Sequence, residues 1–465
     1  MKAAGAPAAD FGPARPATFR ERHIPFPYCN TAKSATRALT ARRMSIAWGN
    51  RDRAFSEVGD DSLGALSRLE NWDYGILSFM PTRLGPAVLI LIGSLASMLV
   101  FGQQTGTSFM AETWPWKPPD GAAYPGTEWK KLKSPAEAGF SIPKLEALRG
   151  WLKTQNTTGL MVVVGGYVLF EYGDVAHVTK TASVRKSILG MLMGNYVVNG
   201  KISLHKTVKE LGLDDLWPFL PIEEDARLED LLQSKSGIYL DADPWAKRGA
   251  NAPGTVMHYN NWDFNAAGTA FERATGRDIY DAFATDLAGP LEMQDFDRAK
   301  QKKNQTMPDE KISVHPEYAM YLSTRDMARM GLLMLRDGKW KDKQLMPRNW
   351  ASYLTTLYTP APQVGPKWLR SELGTGPMRW GYGALWWVWD EPRDSNPASR
   401  GQFTGAFSAM GTDGQYITVI PTLDMVVSHM NYSIMEPPEK AVTEFQYQTI
   451  LQMIIGTHCG EPGCS

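Results

Sequence analysis

The sequence predicts an α+β domain in which strands from both chain ends join one antiparallel sheet, with a mostly helical insertion between them. Apolar strand patterns occupy residues 160–164 and 168–172, around a Gly165-Gly166 turn. The same arrangement recurs at residues 416–420 and 425–430 near the C-terminus, whereas helical spacing dominates the middle of the chain. An antiparallel sheet that joins both ends and is flanked by helices is the simplest fold for such a chain.

The globular part is expected to cover residues 127–457. Its first helix is predicted near residues 142–154, because Ser141 is a suitable N-cap and Pro143 suits the first helical turn. A closing helix is predicted at about residues 438–455.

The segment ahead of the globular part is read as a leader. Residues 1–79 lack sustained periodicity, so they are interpreted as a disordered extension or as a wrongly assigned start of the protein. Residues 80–102 have the features of a signal peptide or signal anchor, since residues 84–101 are uncharged and almost wholly apolar. A buried helix is the alternative for this stretch, and residues 103–126 are then a linker. The pattern predicts an exported protein, either periplasmic or anchored to the membrane with the globular domain outside.

The composition argues against several classes of partner. With 49 basic and 49 acidic residues the chain has no net charge and no basic stripe, so no nucleic-acid partner is expected. The seven histidines have no spacing typical of metal ligands, and neither a metal nor another cofactor is expected. The tail at residues 458–465 contains Cys459 and Cys464, which are spaced to close a small disulfide. The oligomeric state is left open.

Tryptophan is abundant, and four of the sixteen tryptophans lie within residues 380–389. Such a cluster is typical of core and hairpin packing. The alternative is that some of these rings form a wall for an apolar or amide ligand.

The strongest chemical signal is the pair Ser183 and Lys186. At this spacing, one turn of helix places a lysine amine beside a serine hydroxyl. A serine hydroxyl needs a neighbouring base to act as a nucleophile, and a buried lysine that loses its proton is such a base. The unpaired amides at a helix start also favour the negative charge that develops during attack on a carbonyl.

Two other Ser-x-x-Lys pairs occur in the chain, and their context distinguishes them. Ser141 precedes an amphipathic helix and reads as its N-cap. Ser203 follows the helix stop at Asn199-Gly200 and lies in a predicted surface connection. Only Ser183 leads into a long apolar run that has no charge between Lys186 and Lys201.

A second candidate element is the pair Tyr259 and Asn261, on a predicted loop just before a helix. A tyrosine near a lysine can pass a proton to a leaving group, and an asparagine can hydrogen-bond both a lysine and a substrate carbonyl. The alternative is a buried tyrosine followed by a helix that Asn261 or Asp263 caps.

A third candidate element is the glycine-rich segment around Gly411. A glycine there lets a strand edge run close to a ligand, and the amide of Thr412 could be the second oxyanion donor beside that of Ser183. A glycine-rich entry to a hairpin is the alternative reading.

The order of these motifs resembles the penicillin-recognising serine hydrolases. That superfamily includes class C β-lactamases, D-alanyl-D-alanine peptidases, family VIII esterases and 6-aminohexanoate-dimer hydrolases. Residues 231–237, 323–331 and 414–421 are similar to its helix-end, helix-start and terminal-strand segments. The resemblance implies a β-lactamase-like fold, with Ser183 as the acylated nucleophile and Lys186 as its base. It also implies that Tyr259 is the proton shuttle and Asn261 its hydrogen-bonding partner.

One position departs from that pattern. The third motif of the superfamily often reads Lys-Thr-Gly or His-Thr-Gly, whereas this chain has Ala409-Met410-Gly411, with no cation for a substrate carboxylate. We therefore expect a serine hydrolase that cleaves a small-molecule ester or amide through an acyl-enzyme. The alternatives are a β-lactamase or D-alanyl-D-alanine carboxypeptidase acting on a lactam or peptide, and a non-catalytic cell-wall binding protein. Arg185, where many members carry a small residue, has no explanation at this level.

Overall fold

The computed structural model describes residues 123–240, 243–304, 313–367, 369, 378–392, 402–432 and 440–459. All of them belong to one of the two compact units into which the chain divides, the unit Ile92–Ser465. The predicted extension at residues 1–79, the leader at residues 80–102 and Cys464 lie outside the described residues. No helix among the residues described has both the length and the apolar character needed to cross a bilayer.

Thirteen strands are found in the described part of the chain. They are β1 Gly159–Val164, β2 Tyr167–Gly173, β3 Val178–Lys180, β4 Lys302–Asn304, β5 Glu317–Ala319, β6 Tyr321–Ser323, β7 Lys339–Trp340, β8 Lys343–Gln344, β9 Met378–Tyr382, β10 Trp387–Pro392, β11 Phe407–Gly411, β12 Gln415–Ile420 and β13 Met425–Met430.

Nine α-helices are found in the same part of the chain. They are α1 Ile142–Leu152, α2 Val184–Val198, α3 Pro221–Glu224, α4 Leu228–Leu232, α5 Asn261–Thr275, α6 Ile279–Phe283, α7 Thr324–Leu335, α8 Trp350–Leu354 and α9 Glu444–Gly456.

The main sheet joins the two ends of the domain. Its seven described strands are antiparallel and lie in the order β2-β1-β13-β12-β11-β10-β9. The junction is the pairing of β1 with β13, in which Gly159 lies opposite Met430 and Val164 opposite Met425. The hairpin near the start of the domain therefore extends the hairpin near its end, and the predicted α+β fold class is confirmed.

Helices cover both faces of this sheet. Successive side chains of β12 point to opposite faces, and every residue of β12 is buried. On one face, Thr418 hydrogen-bonds the hydroxyl of Tyr447 in α9 at 2.6 Å. On the other face, Ile417 and Val426 press against Gly331 of α7, where a Cβ atom would lie 2.4 Å from Val426 Cγ1. Gly331 thus allows α7 to lie directly on the sheet.

The segment between β3 and β9 is the predicted insertion, and it contains α2 to α8 with only short strands. Helix α2 packs against β11 of the sheet and against α5 of the insertion. The start of α2, which carries Ser183, therefore lies where the sheet meets the insertion.

The closing helix begins later than predicted. Helix α9 starts at Glu444, and residues 440–443 lie ahead of it rather than inside it. The reason is a capping box, in which Thr443 accepts from the Gln446 amide and the Gln446 side chain accepts from the Thr443 amide. Past the helix, Cys459 donates its amide to the Gly139 carbonyl and is disulfide-bonded.

Candidate active site

Ser183 lies immediately ahead of α2, on a turn that is held tightly in place. Both the amide and the hydroxyl of Thr181 donate to the carbonyl oxygen of Met320, at 2.8 and 3.0 Å. The next residue, Ala182, has a left-handed backbone with φ of 48°. A non-glycine residue pays about 1–2 kcal/mol for that conformation. The fold thus maintains a strained backbone next to Ser183.

Lys186 is the centre of the site. Its Nζ lies 2.9 Å from Ser183 Oγ, 2.8 Å from the Tyr259 hydroxyl and 2.8 Å from Asn261 Oδ1. The side chain is buried, with 2% of the residue exposed. The structure therefore brings together the four residues that the two sequence motifs single out.

Burial lowers the pKa of Lys186 well below its usual value, and the neighbouring Arg185 charge lowers it further. The Glu317 charge opposes this by raising the pKa. No carboxylate of the described residues forms an ion pair with the Lys186 amine. A neutral amine has two protons and one lone pair, so it can donate to Asn261 Oδ1 and still accept a hydroxyl proton.

Tyr259 reaches Lys186 from a loop ahead of α5. Its amide donates to the Gly365 carbonyl at 2.9 Å, and its ring packs against Phe264 and is stacked on Trp387 at 5.6 Å between centroids. Burial raises the pKa of Tyr259 to about 12. The phenol therefore keeps its proton at neutral pH.

Asn261 is the first residue of α5 and not a loop residue, and its side chain does not cap the helix. The cap is Asn260, whose side chain accepts from the Asp263 amide at 3.0 Å. The alternative in which Asn261 or Asp263 caps α5 is therefore wrong. Because Asn260 fills that role, the Asn261 carbonyl is available to Lys186.

Gly411 lies at the end of β11, beside the turn that carries Ser183. A Cβ atom on this residue would lie 2.7 Å from the Thr181 carbonyl oxygen and 3.0 Å from Ala182 Cβ. The strand edge thus approaches the turn that carries Ser183, and its approach to a ligand stays a prediction. Within the described part of the chain, the amides of Ser183 and Thr412 donate to no protein acceptor.

Arg185 is a buried neighbour of the site whose surroundings the sequence did not reveal. Its Nη2 donates to Asn265 Oδ1 at 2.7 Å, its Nε lies 3.5 Å from Glu317 Oε1, and its guanidinium packs over the Tyr318 ring. The available signal was a single extra charge at the start of an otherwise apolar helix.

Packing is the role that the structure shows for three tryptophans of the cluster, and the role as a wall for a ligand stays a prediction. Trp380 and Trp386 are buried in the core, with 1% and 0% exposed. Trp387 is also buried, with 4% exposed, and it is stacked against Tyr259 and makes an edge contact with Tyr382. One tryptophan of the cluster therefore supports the candidate active site directly.

The chain is similar to one known protein family and to several solved structures. A family model described as Beta-lactamase matches residues 156–430, and none of the curated proteins matches the chain. The chain is similar to a β-lactamase from Mycobacterium bovis, with 18% identity, 67% of this chain and 99% of that chain covered, and a TM-score of 0.44.

Two further solved structures are similar to the chain. A penicillin-binding protein homolog from Caulobacter crescentus has 14% identity, with 65% of this chain and 96% of that chain covered and a TM-score of 0.45. Simvastatin synthase (LovD) from Aspergillus terreus has 15% identity, with 70% of this chain and 98% of that chain covered and a TM-score of 0.49.

The family match covers more than half of the chain and includes both Ser183 and Gly411. The resemblance inferred from the motifs is confirmed at this level: the chain belongs to the Beta-lactamase family.

Proposed function

We propose that this protein is a serine hydrolase that cleaves an ester or amide bond through an acyl-enzyme on Ser183. The single observation that carries the proposal is the position of the buried Lys186 amine, within 2.9 Å of Ser183 Oγ, Tyr259 and Asn261. An amine that is buried, close to a serine hydroxyl and without a carboxylate partner is suited to act as a base.

In the first half of the reaction, the Ser183 hydroxyl gives its proton to Lys186 Nζ and its oxygen bonds to the substrate carbonyl carbon. The amides of Ser183 and Thr412 donate to the resulting oxyanion. The bond to the leaving alkoxide or amine then breaks, and Tyr259 gives its hydroxyl proton to that group while it regains one from Lys186.

In the second half, water attacks the acyl-enzyme and Lys186 takes its proton. The carboxylic acid leaves, and Ser183 recovers its hydroxyl proton. Asn261 keeps the Lys186 amine oriented in both halves of the reaction, because Asn261 Oδ1 accepts a hydrogen bond from Lys186 Nζ.

The residues at the third motif favour neutral substrates. Ala409 and Met410 occupy the strand positions ahead of Gly411, and both are buried apolar residues in β11. An anionic substrate carboxylate gains most from a charged hydrogen-bond donor, which neither side chain supplies. We therefore favour esters or linear amides over penicillins and peptidoglycan termini.

The test is intact-mass detection of an acyl adduct with p-nitrophenyl esters, short oligoamides and penicillin. We expect adducts and turnover with an ester or oligoamide. The matched control to Ser183→Ala is Ser203→Ala, which removes the same hydroxyl from another Ser-x-x-Lys pair. A slowly released penicillin adduct would instead indicate a β-lactamase or peptidase. A chain that forms no adduct and turns over nothing would be a non-catalytic binding protein.

The proposal places the enzyme outside the cytoplasm, on the basis of residues 80–102 alone. N-terminal sequencing of the mature protein in its native host tests this part separately. An N-terminus near Gly102 supports cleavage of a signal peptide, membrane-bound protein with an earlier N-terminus supports an anchor, and a cytosolic full-length chain contradicts export.

A further inference from the structure

Three charged residues form a cluster that includes Arg185, the residue directly before the candidate base Lys186 in the chain. Glu317 of β5 accepts from Lys180 Nζ through Oε2 at 3.2 Å, and its Oε1 lies 3.5 Å from Arg185 Nε. All three side chains are largely buried, with 17%, 12% and 3% exposed for Lys180, Glu317 and Arg185. We call these residues the Glu317 cluster. Two cations and one carboxylate leave it with one excess positive charge.

Arg185 is held in the cluster at a cost to the fold. Its guanidinium is fixed by Asn265 and by the Tyr318 ring, yet its Nη1 is buried without a hydrogen-bond partner among the described residues. An unsatisfied donor on a buried charged group destabilises the fold, because no hydrogen bond offsets the loss of its contact with water. Such a residue is expected where it serves a site and not stability.

The other titratable groups around the site bring little charge at neutral pH. Burial raises the pKa of Tyr318 and of Tyr382 above the usual value, and it raises the pKa of Tyr259 to about 12. Burial likewise raises the pKa of Asp263 to about 8, so this carboxyl is largely protonated at pH 7. Among the charged side chains of the described residues, Arg185 and Glu317 are the two that shift the pKa of Lys186.

We propose that the Glu317 cluster controls the protonation of Lys186, with Arg185 repelling a proton from the amine and Glu317 limiting that repulsion. Arg185 and Glu317 are positioning residues in this account, since they act through Lys186 and touch no substrate. This inference rests on the proposed function only where it predicts a change in the pH dependence of kcat/KM. The charge state of Lys186 is measurable without turnover.

The proposal predicts shifts of opposite sign for two substitutions. Arg185→Met removes a like charge, so protonation of Lys186 becomes easier and the acidic limb of kcat/KM moves to higher pH by about one unit. Glu317→Gln removes the opposing charge, so the limb moves to lower pH by about the same amount. Arg185→Lys keeps the charge and is expected to restore most of the wild-type limb.

Two lysine variants keep the test falsifiable if Arg185→Met fails to fold. Lys180→Met removes one positive charge at a more exposed position, so the limb moves to higher pH by less than with Arg185→Met. Lys303→Met is the matched control, because Lys303 pairs with Glu272 at 2.5 Å in a partly buried ion pair outside the Glu317 cluster. This control is expected to leave the limb in place.

The decisive readout is the ¹³Cε resonance of Lys186 in ¹³C-lysine protein, assigned by its loss in Lys186→Met, titrated in parallel with kcat/KM. Opposite shifts of this titration in Arg185→Met and Glu317→Gln support the proposal. Titrations that stay within about 0.3 pH units of wild type in Glu317→Gln and Lys180→Met overturn it, since charge effects on a buried neighbour exceed that. Shifted titrations in a protein that never acylates would refute the proposed function and leave this inference standing.

Discussion

Gly411 of β11 lies so close to Thr181 that no side chain fits between the strand and the carbonyl oxygen of Thr181. A Cβ atom at position 411 would be 2.7 Å from that oxygen. Because Thr181 begins the turn that carries Ser183, the same contact positions both the strand edge and this turn.

Gly411→Ala should therefore displace the turn that carries Ser183. We expect kcat/KM for a p-nitrophenyl ester to fall about 10²-fold, since displacements near 1 Å have such effects at reacting groups. Gly150→Ala is the matched control, because a Cβ atom there meets nothing within 4 Å. Equal activity of the two variants would show that the close approach of β11 has no role in positioning Ser183.

Tyr259→Phe should separate substrates by their leaving groups. The phenylalanine ring keeps the packing on Trp387 but cannot transfer a proton, so we expect a loss of about 10²–10⁴-fold for an amide. The loss for a p-nitrophenyl ester should be smaller, because p-nitrophenolate leaves without a proton. Tyr353→Phe is the control, since its buried hydroxyl has no hydrogen-bond partner within the described residues. Equal losses for both substrates would argue against proton transfer by Tyr259.

Asn261→Asp should raise the pKa of Lys186 by placing a carboxylate where Oδ1 now lies, 2.8 Å from Nζ. A negative charge this close stabilises the ammonium form, so the acidic limb of kcat/KM should move up by about 1–3 pH units. Activity at neutral pH falls and recovers in alkali. Asn260→Asp makes the same change one residue earlier, where aspartate caps a helix as well as asparagine does. A limb that moves equally in both variants, or in neither, contradicts the assignment of Lys186 as base.

His429 should make folding stability depend on pH. Its ring lies 2.9 Å from the Thr157 hydroxyl and 2.7 Å from the Gly414 carbonyl, and burial lowers its pKa to about 4. The unfolded chain binds this proton near pH 6.5. The stabilisation is therefore complete above pH 6.5 and is lost as pH falls through 4, by about 3 kcal/mol.

The measurement is urea unfolding of wild type and His429→Gln at pH 7 and at pH 4, followed by tryptophan fluorescence. The difference in unfolding free energy between the two proteins should shrink by about 3 kcal/mol at the lower pH. Comparing the two proteins cancels the contribution of Asp263 to the unfolding free energy. The raised pKa of Asp263 makes the fold more stable as pH falls, which is opposite to the effect of His429. A difference that stays constant with pH would mean that the fold does not lower the pKa of His429.

The strands at both ends of the domain are predictable because their signals are local. Short apolar runs bounded by turn residues mark β1, β2, β12 and β13 without any knowledge of distant neighbours. The short strands β3 and β6 are not predictable in this way, since three residues are too few to show a period. They form where Val178 and Ser323 pair across the insertion.

The candidate site shows the same difference between residues found from local patterns and contacts formed by distant residues. Ser183, Lys186 and Tyr259 are found from the sequence because each motif has a characteristic spacing within a short segment. The surroundings of Arg185 are not, because Asn265 and Glu317 come from distant parts of the chain and meet it only in the fold. The start of α9 at Glu444 could have been predicted from the sequence, since the Thr443 and Gln446 capping box is a local pattern.

The central claim is that Ser183 is acylated, and mass spectrometry of acid-quenched protein tests it most directly. Incubation with a p-nitrophenyl ester, followed by peptide mapping, should place the acyl group on Ser183. The adduct should be absent from Ser183→Ala and retained in Ser203→Ala. An adduct that maps to another residue, or ester turnover at the wild-type rate in Ser183→Ala, would contradict the account.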